Sequence, residues 1–299
     1  MGWITLTLIA AFMQAVRTAG QKSLSTTVSP ITATMVRYAF GLPFAMLYLW
    51  IVAGYLPGYE IQQISFGLRF FVYAIAASFM QILATVFLIQ VFSTRNFAVG
   101  TAYAKTEAMM TAVLAVLLFA EHLSFSAWVS VIVGVAGVLI ISISSGKINL
   151  LEHAEWRVAG LGLLSGLCFS LTSLFLRQAS LSLEAPAFLT AAITLLFMVG
   201  VQTLLTVVWI AIRSPEQFML LRPLLPICLF VGITSVAGSV GWFTAMTLQN
   251  PAYVKALGQI EFILTLVITG RVFKETVSRQ EALGMFMIIA SVCLLLLGE

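Results

Sequence analysis

The chain has 299 residues, 61% of them hydrophobic and only 9% charged, with a mean hydropathy of +1.07. A soluble domain carries about 25% charged residues, so this chain has too few to cover a water-facing surface, and it reads as an all-α integral membrane protein. The net charge of +4 and the pI near 9.1 fit lysines and arginines held in cytoplasmic loops, not nucleic-acid binding.

A spanning helix needs about 20 apolar residues, and charges and turn residues mark the breaks. Ten predicted spans follow in chain order: 2–22, 30–53, 67–92, 97–119, 125–144, 157–178, 185–211, 223–247, 251–271 and 280–298. The first, "MGWITLTLIAAFMQAV", lacks the charged n-region of a cleaved leader and continues as a full span. The second follows Pro30 and carries Arg37; the first carries Arg17 near its end. The fourth contains Tyr103, Lys105 and Glu107, and the ninth Lys255, Gln259 and Glu261. The sixth holds "GLGLLSG", which sets Gly162, Gly166 and Ser170 at the four-residue spacing of a close helix contact. The runs are continuously apolar, which excludes a closed barrel. Cys168, Cys228 and Cys293 lie inside apolar runs and read as packing residues. His122 and His153 fall in loops. No cofactor or metal is expected.

The chain repeats itself. "RNFAVGTAYAKTEAMMTAVLAVLLFAEHLS" (95–124) aligns without a gap on "QNPAYVKALGQIEFILTLVITGRVFKETVS" (249–278), with nine identities in thirty positions. The identities include Asn96/Asn250, Glu107/Glu261, Glu121/Glu275 and Ser124/Ser278. Matched polar residues are harder to obtain by chance in apolar sequence than matched leucines. The repeat unit is five spans, residues 1–147 and 148–299. Five is odd, so the second copy enters the membrane from the opposite face, as in the inverted repeats of secondary transporters. Such halves leave a site between them near the midplane.

This plan, with "LLFAEHLS" and "RVFKETVS" closing the fourth span of each half and "ATMVRYAFGLPF" (33–44) in the second span, resembles the EamA-type members of the drug/metabolite transporter superfamily. The resemblance implies a multi-pass carrier of the cell (inner) membrane, commonly an exporter of amino acids or other small metabolites, with both termini in the cytoplasm. His122, Lys274 and Lys105 depart from the family's pattern. The loop charges argue for the reverse orientation. Lys22, Arg95, Lys147, Arg157, Arg213, Arg222, Arg271, Lys274 and Arg279 lie on one side and only Arg69 and Arg177 on the side of the termini, so the positive-inside rule puts the termini outside.

A charge at a helix centre costs about 2.5–3.5 kcal/mol and calls for a partner or a function. Glu107 lies about 15 Å into its span at 1.5 Å per residue, and Glu261 is equally deep. Lys105 and Glu107 are two residues apart and do not face each other, whereas Tyr103 shares the Glu107 face. Lys255 and Gln259 share a face, from which Glu261 points away. Positive groups (Arg17, Arg37, Lys105 and Lys255) outnumber Glu107 and Glu261, so a carboxylate or phosphate on the substrate would balance them. Candidate substrate-binding residues are therefore Lys105, Glu107, Glu261, Arg37, Tyr103, Lys255, Gln259 and Trp242, the last, like Phe243, as a stacking surface. Lys105 and Arg37 are expected to hold the anionic group, and Glu107 and Glu261 to gate or to carry a coupled proton. Glu121 and Glu275 read as helix-end residues.

No span carries HExxH, a Walker loop or a Ser/His pair in register, so the chain is not read as an enzyme. The expected function is gradient-driven export of a small amino acid or related organic anion or zwitterion. The competing readings are a carrier of lipid-linked or amphipathic cargo and a non-transporting assembly or sensor subunit. The expected partners are the substrate, the lipid bilayer and a coupled proton. A monomer suffices, because both repeats share one chain; a dimer is the alternative.

Overall fold

The computed structural model describes residues 2–55, 64–92, 104, 106–144, 153–261, 263–264 and 279–297. Among these residues there are helices and no strands. In chain order they are α1 (Gly2–Leu24), α2 (Pro30–Ala39), α3 (Leu42–Tyr55), α4 (Leu68–Phe92), α5 (Glu107–Phe119), α6 (Phe125–Ser144), α7 (His153–Leu181), α8 (Ala187–Arg213), α9 (Gln217–Leu221), α10 (Leu225–Leu248), α11 (Pro251–Gly258) and α12 (Arg279–Leu297). A 3-10 turn (Arg222–Leu224) joins α9 to α10.

Local chemistry sets several of these ends. Ser29 caps α2 through its hydroxyl, with Pro30 in the first turn, and Asn250 does the same for α11 ahead of Pro251. Helix α5 ends on Ala120 in the left-handed conformation, φ 49°, and the Glu121 amide bonds back to the Ala115 carbonyl at 3.2 Å. The predicted second span is broken at Phe40–Gly41 into α2 and α3. At that break the chain crosses α10 so closely that a Cβ on Gly232 would stand 2.6 Å from the Phe40 carbonyl carbon, a contact that only glycine permits.

Five stretches have the length and hydropathy of a full span: Pro30–Tyr55, Leu68–Val91, Gly160–Leu181, Ala187–Arg213 and Gln217–Leu248. Shorter apolar helices cover Glu107–Phe119, Phe125–Gly137 and Ala282–Leu295. Helix α1 has 23 residues, but it carries Gln14, Arg17 and Gln21 within its length.

The burial pattern is that of a protein in lipid. Trp50, Leu68, Leu117, Leu204 and Phe286 are 64–79% exposed, whereas Thr7, Thr34, Ser78, Gln202 and Thr244 are fully buried. Apolar exposure on that scale is foreign to a water-soluble monomer. The buried hydroxyls bond to backbone carbonyls one turn earlier, as Thr7 does to Trp3 and Thr206 to Gln202. The GLGLLSG stripe faces inward as expected: Gly162, Gly166 and Ser170 are buried. Cys168 and Cys228 are buried and free, and Cys293 is exposed and free.

Two ends of the bundle can be told apart. At one, the 25–29 turn meets the 214–217 segment, where the Ser29 amide donates to Gln217 Oε1 at 2.9 Å. At the other, Arg69 donates to Gln178, Tyr253 bonds Ser124, and Arg177 pairs with Glu121 at 3.5 Å. Arg177, expected near a loop, stands inside α7, and its guanidinium also caps α10 by donating to the Met246 and Gln249 carbonyls. Glu121 additionally accepts from Asn250 Nδ2 at 2.9 Å. It is a helix-end residue, as its position suggests. Glu275 lies outside the described residues.

Candidate functional site

Glu107 opens α5, where the first-turn amides and the helix dipole favour a carboxylate. Its carbonyl oxygen accepts from Thr111 Oγ1 at 2.7 Å and from Ser170 Oγ of α7 at 2.9 Å, which fixes the start of the helix against a neighbour. Its side chain accepts from Lys255 Nζ of α11 at 3.3 Å. Lys255 is itself buried, and its ammonium lies 5.0 Å from the Trp242 ring centroid and 5.8 Å from that of Phe169. The lysine is thus held by one carboxylate and two aromatic faces.

Trp242 continues the network. Its indole Nε1 donates to Gln14 Oε1 at 2.9 Å, and Gln14 Nε2 donates to Glu261 Oε2 at 2.6 Å. Two carboxylates from the two copies of the sequence repeat therefore connect through Lys255, Trp242 and Gln14. Glu107, Trp242, Lys255, Gln259 and Glu261 line one narrow space, too tight in this structure to admit a water. Gly258 lies beneath the indole, and a Cβ there would meet Trp242 Cη2 at 2.5 Å.

Two expectations are corrected here. Glu107 was expected deep inside a continuous span, but α5 starts at Glu107, after a turn at Thr106. Glu261 was expected to point away from Lys255 and Gln259, yet all three line the same space. The reason is a break: α11 ends at Gly258, Gln259 forms a turn, and helix resumes at Ile260. An unbroken helix would have carried Glu261 round to another face. Gln259 packs against Gly134 of α6, and neither its Nε2 nor its Oε1 finds a partner among the described residues. Lys105 and Tyr103 lie outside the described residues.

Arg37 stands in a second, narrow cleft with free space of about 10 Å3, which also includes Tyr38, Gln81, Gln202, Ser235 and Phe243. Arg37 Nη1 donates to Thr85 Oγ1 at 3.1 Å, and Gln202 Nε2 donates to Gln81 Oε1 at 2.7 Å. Arg17, buried on α1, interacts electrostatically with Arg37, Glu261 and Glu107. Helix α10 separates the two spaces, with Trp242 on one side and Phe243 on the other.

The interior thus holds Arg17, Arg37 and Lys255 against Glu107 and Glu261, among described residues, an excess of one positive charge. Weighing formal charges alone passes over Gln14, Gln81 and Gln202. Their signal was a lone amide in an otherwise apolar run, a feature that in a membrane helix faces protein and not lipid.

Residues 1–143 match the EamA-like transporter family. The match covers residues 1–143 of 299, just under half of the chain, and makes that part similar to the family. The EamA-like family lies within the drug/metabolite transporter superfamily, so this is a multi-pass membrane protein of transporter type. No curated protein matches the sequence. A solved crystal structure superposes on 98% of this EamA-like chain and 98% of its own, with a TM-score of 0.73 at 15% identity. At that identity the likeness concerns the fold.

Proposed function

We propose that this EamA-like protein is a gradient-driven carrier that exports a small organic anion or zwitterion, such as an amino acid, by alternating access. Its ten spans form two inverted halves, residues 1–147 and 148–299, around a site near the midplane. The observation that carries the reading is the buried, net-positive charge cluster at the junction of helices from both halves. Sealed charges of this kind are expensive in a membrane and mark transport pathways.

The helix packing supports the two halves. Exchanging each span for the one five later turns the α1–α10 contact into α7–α4, α1–α11 into α7–α5, and α2–α10 into α8–α4; all of these contacts occur. The α6–α12 and α5–α11 contacts map onto themselves, as contacts on a pseudo-two-fold axis must. Helix interruptions at Thr106 and Gln259 fall within one residue of equivalent positions of the repeat and match the discontinuous helices that carry substrate and ion sites in such carriers. In this reading Glu107 and Glu261 gate the site or carry the coupled proton, while Lys105 and Arg37 hold the anionic group.

The test is counterflow in proteoliposomes loaded with labelled amino acids and organic acids, with and without a proton gradient. Saturable exchange that is lost in Glu107→Gln and Lys105→Ala supports the assignment. Wild-type rates in both variants refute it.

A further inference from the structure

Four helices, α2, α4, α8 and α10, meet in the cleft headed by Arg37, and its chemistry is selective. Arg37 is buried, with one hydrogen bond, to Thr85, and one aromatic neighbour, Tyr38, at 5.3 Å. The charged groups that act on it are Tyr38, if ionised, and Arg17. The other interior charges have compensation: Lys255 pairs with Glu107, Glu261 accepts from Gln14, and Arg17 feels both glutamates. Among the described residues, no carboxylate pairs with Arg37. A buried cation without an anion costs several kcal/mol, and a ligand that brings the anion removes that penalty.

Two further groups in the same cleft lack partners. Gln202 directs its amide nitrogen to Gln81 Oε1 and the Ser78 carbonyl, which leaves its Oε1 as a free acceptor. Ser235 Oγ also has no partner. Both side chains are at least nine-tenths buried. Leu195, Val199 and Val236 supply apolar lining beside these polar groups. In this structure the cleft is nearly closed, with free space of about 10 Å3, roughly that of one water, so a ligand enters only as the walls part.

We propose that this cleft binds a short branched monocarboxylate bearing a hydrogen-bond donor beside its carboxylate, an α-amino or α-hydroxy acid. Arg37 anchors the carboxylate, Gln202 Oε1 and Ser235 Oγ receive the donor, and the aliphatic wall takes the side chain. The assignment rests on the carrier reading above. It adds that the ligand site is this cleft, separate from the Glu107–Lys255 pair, and that phosphates, dicarboxylates and plain amines are poor ligands.

The experiment is ligand binding to the purified full-length protein in nanodiscs, by calorimetry and thermal shift. Its probes are leucine, 2-hydroxy-4-methylpentanoate, 4-methylpentanoate and 3-methylbutan-1-amine, of one carbon skeleton type. Leucine or the hydroxy acid binds. The acid without a donor binds about tenfold more weakly, the size of one lost hydrogen bond to a polar site, and the amine does not bind. Which of the first two is tighter identifies the donor as ammonium or hydroxyl. Arg37→Gln lowers affinity by about tenfold or more, as loss of a charge-assisted pair requires. Ser235→Ala weakens binding severalfold without changing the melting temperature of the free protein. Amine binding equal to that of the acids, no binding of any acid, or undiminished binding in both variants overturns the assignment. Counterflow separates the two claims: carboxylate binding without transport sinks the carrier reading alone, and transport without Arg37-dependent carboxylate binding sinks this one alone.

Discussion

Lys255 Nζ lies 3.3 Å from Glu107 Oε1, which ties α11 to the first turn of α5. Both side chains are largely shielded, so neither charge can relax into water if the other is removed. Breaking a buried pair from one side costs about 3–5 kcal/mol, whereas replacing both partners by neutral groups is often nearly neutral. Lys255→Met and Glu107→Gln each lower the melting temperature in detergent. The double variant recovers most of the loss while remaining unable to transport. Additive losses in the double variant would show that the two side chains are not coupled.

Gly258 leaves no room for a methyl group beneath the Trp242 indole, since its Cβ would stand 2.5 Å from Cη2. Gly258→Ala therefore displaces the ring and loosens both the 2.9 Å bond to Gln14 and the contact with the Lys255 ammonium. The expected destabilisation is about 1–3 kcal/mol, typical of overpacking. Tryptophan emission shifts toward that of a more solvated indole. An unchanged melting temperature and spectrum would mean that the ring has freedom to move aside.

Most helix boundaries were legible because lipid solubility imposes long apolar runs. The predicted 125–144 coincides with α6, and 67–92, 185–211 and 280–298 fall within two residues of α4, α8 and α12. The repeat was legible because polar identities such as Glu107/Glu261 stand out against an apolar background. The local geometry of the charges was not legible. Apolar periodicity continues through Thr106 and Gln259 and gives no sign that the helices break there. Once a break re-aims Glu261, face arguments based on 100° per residue no longer hold. The partner of Glu107 was hidden for another reason: Lys255 is 148 residues away, and the spacing rules that pair charges along one helix say nothing about pairs between helices. Gln14 was hidden because it carries no charge.

The two ends of the bundle set an orientation test. The end with the 25–29 and 214–217 segments carries Lys22, Arg213 and Arg222, while the other carries Arg69 and Arg177, the latter neutralised by Glu121. The positive-inside rule places the first end in the cytoplasm. In a background with Cys168, Cys228 and Cys293 replaced by serine or alanine, cysteine at exposed His122 should react with a membrane-impermeant maleimide on intact cells. Cysteine at exposed Thr26 should react only after the membrane is opened. The opposite labelling pattern would put both termini in the cytoplasm.

Gln14 bridges the aromatic and the acidic parts of the cluster by hydrogen bonds, accepting from Trp242 Nε1 and donating to Glu261 Oε2. Leucine at this position has similar bulk and no polar atoms. Gln14→Leu therefore leaves the packing of α1 on α10 in place, strips the indole N–H of its acceptor and removes a 2.6 Å donor from Glu261. Leaving buried polar groups without partners costs about 1–3 kcal/mol each, so the melting temperature falls. Gln14→Glu keeps an acceptor for the indole but sets a second carboxylate against Glu261, where like charges repel. It should impair transport more than Gln14→Leu at neutral pH, although it keeps the tryptophan hydrogen bond. If transport instead follows the tryptophan bond, with the glutamate variant near wild type and the leucine variant inactive, then Gln14 acts by holding Trp242, and its donation to Glu261 is incidental.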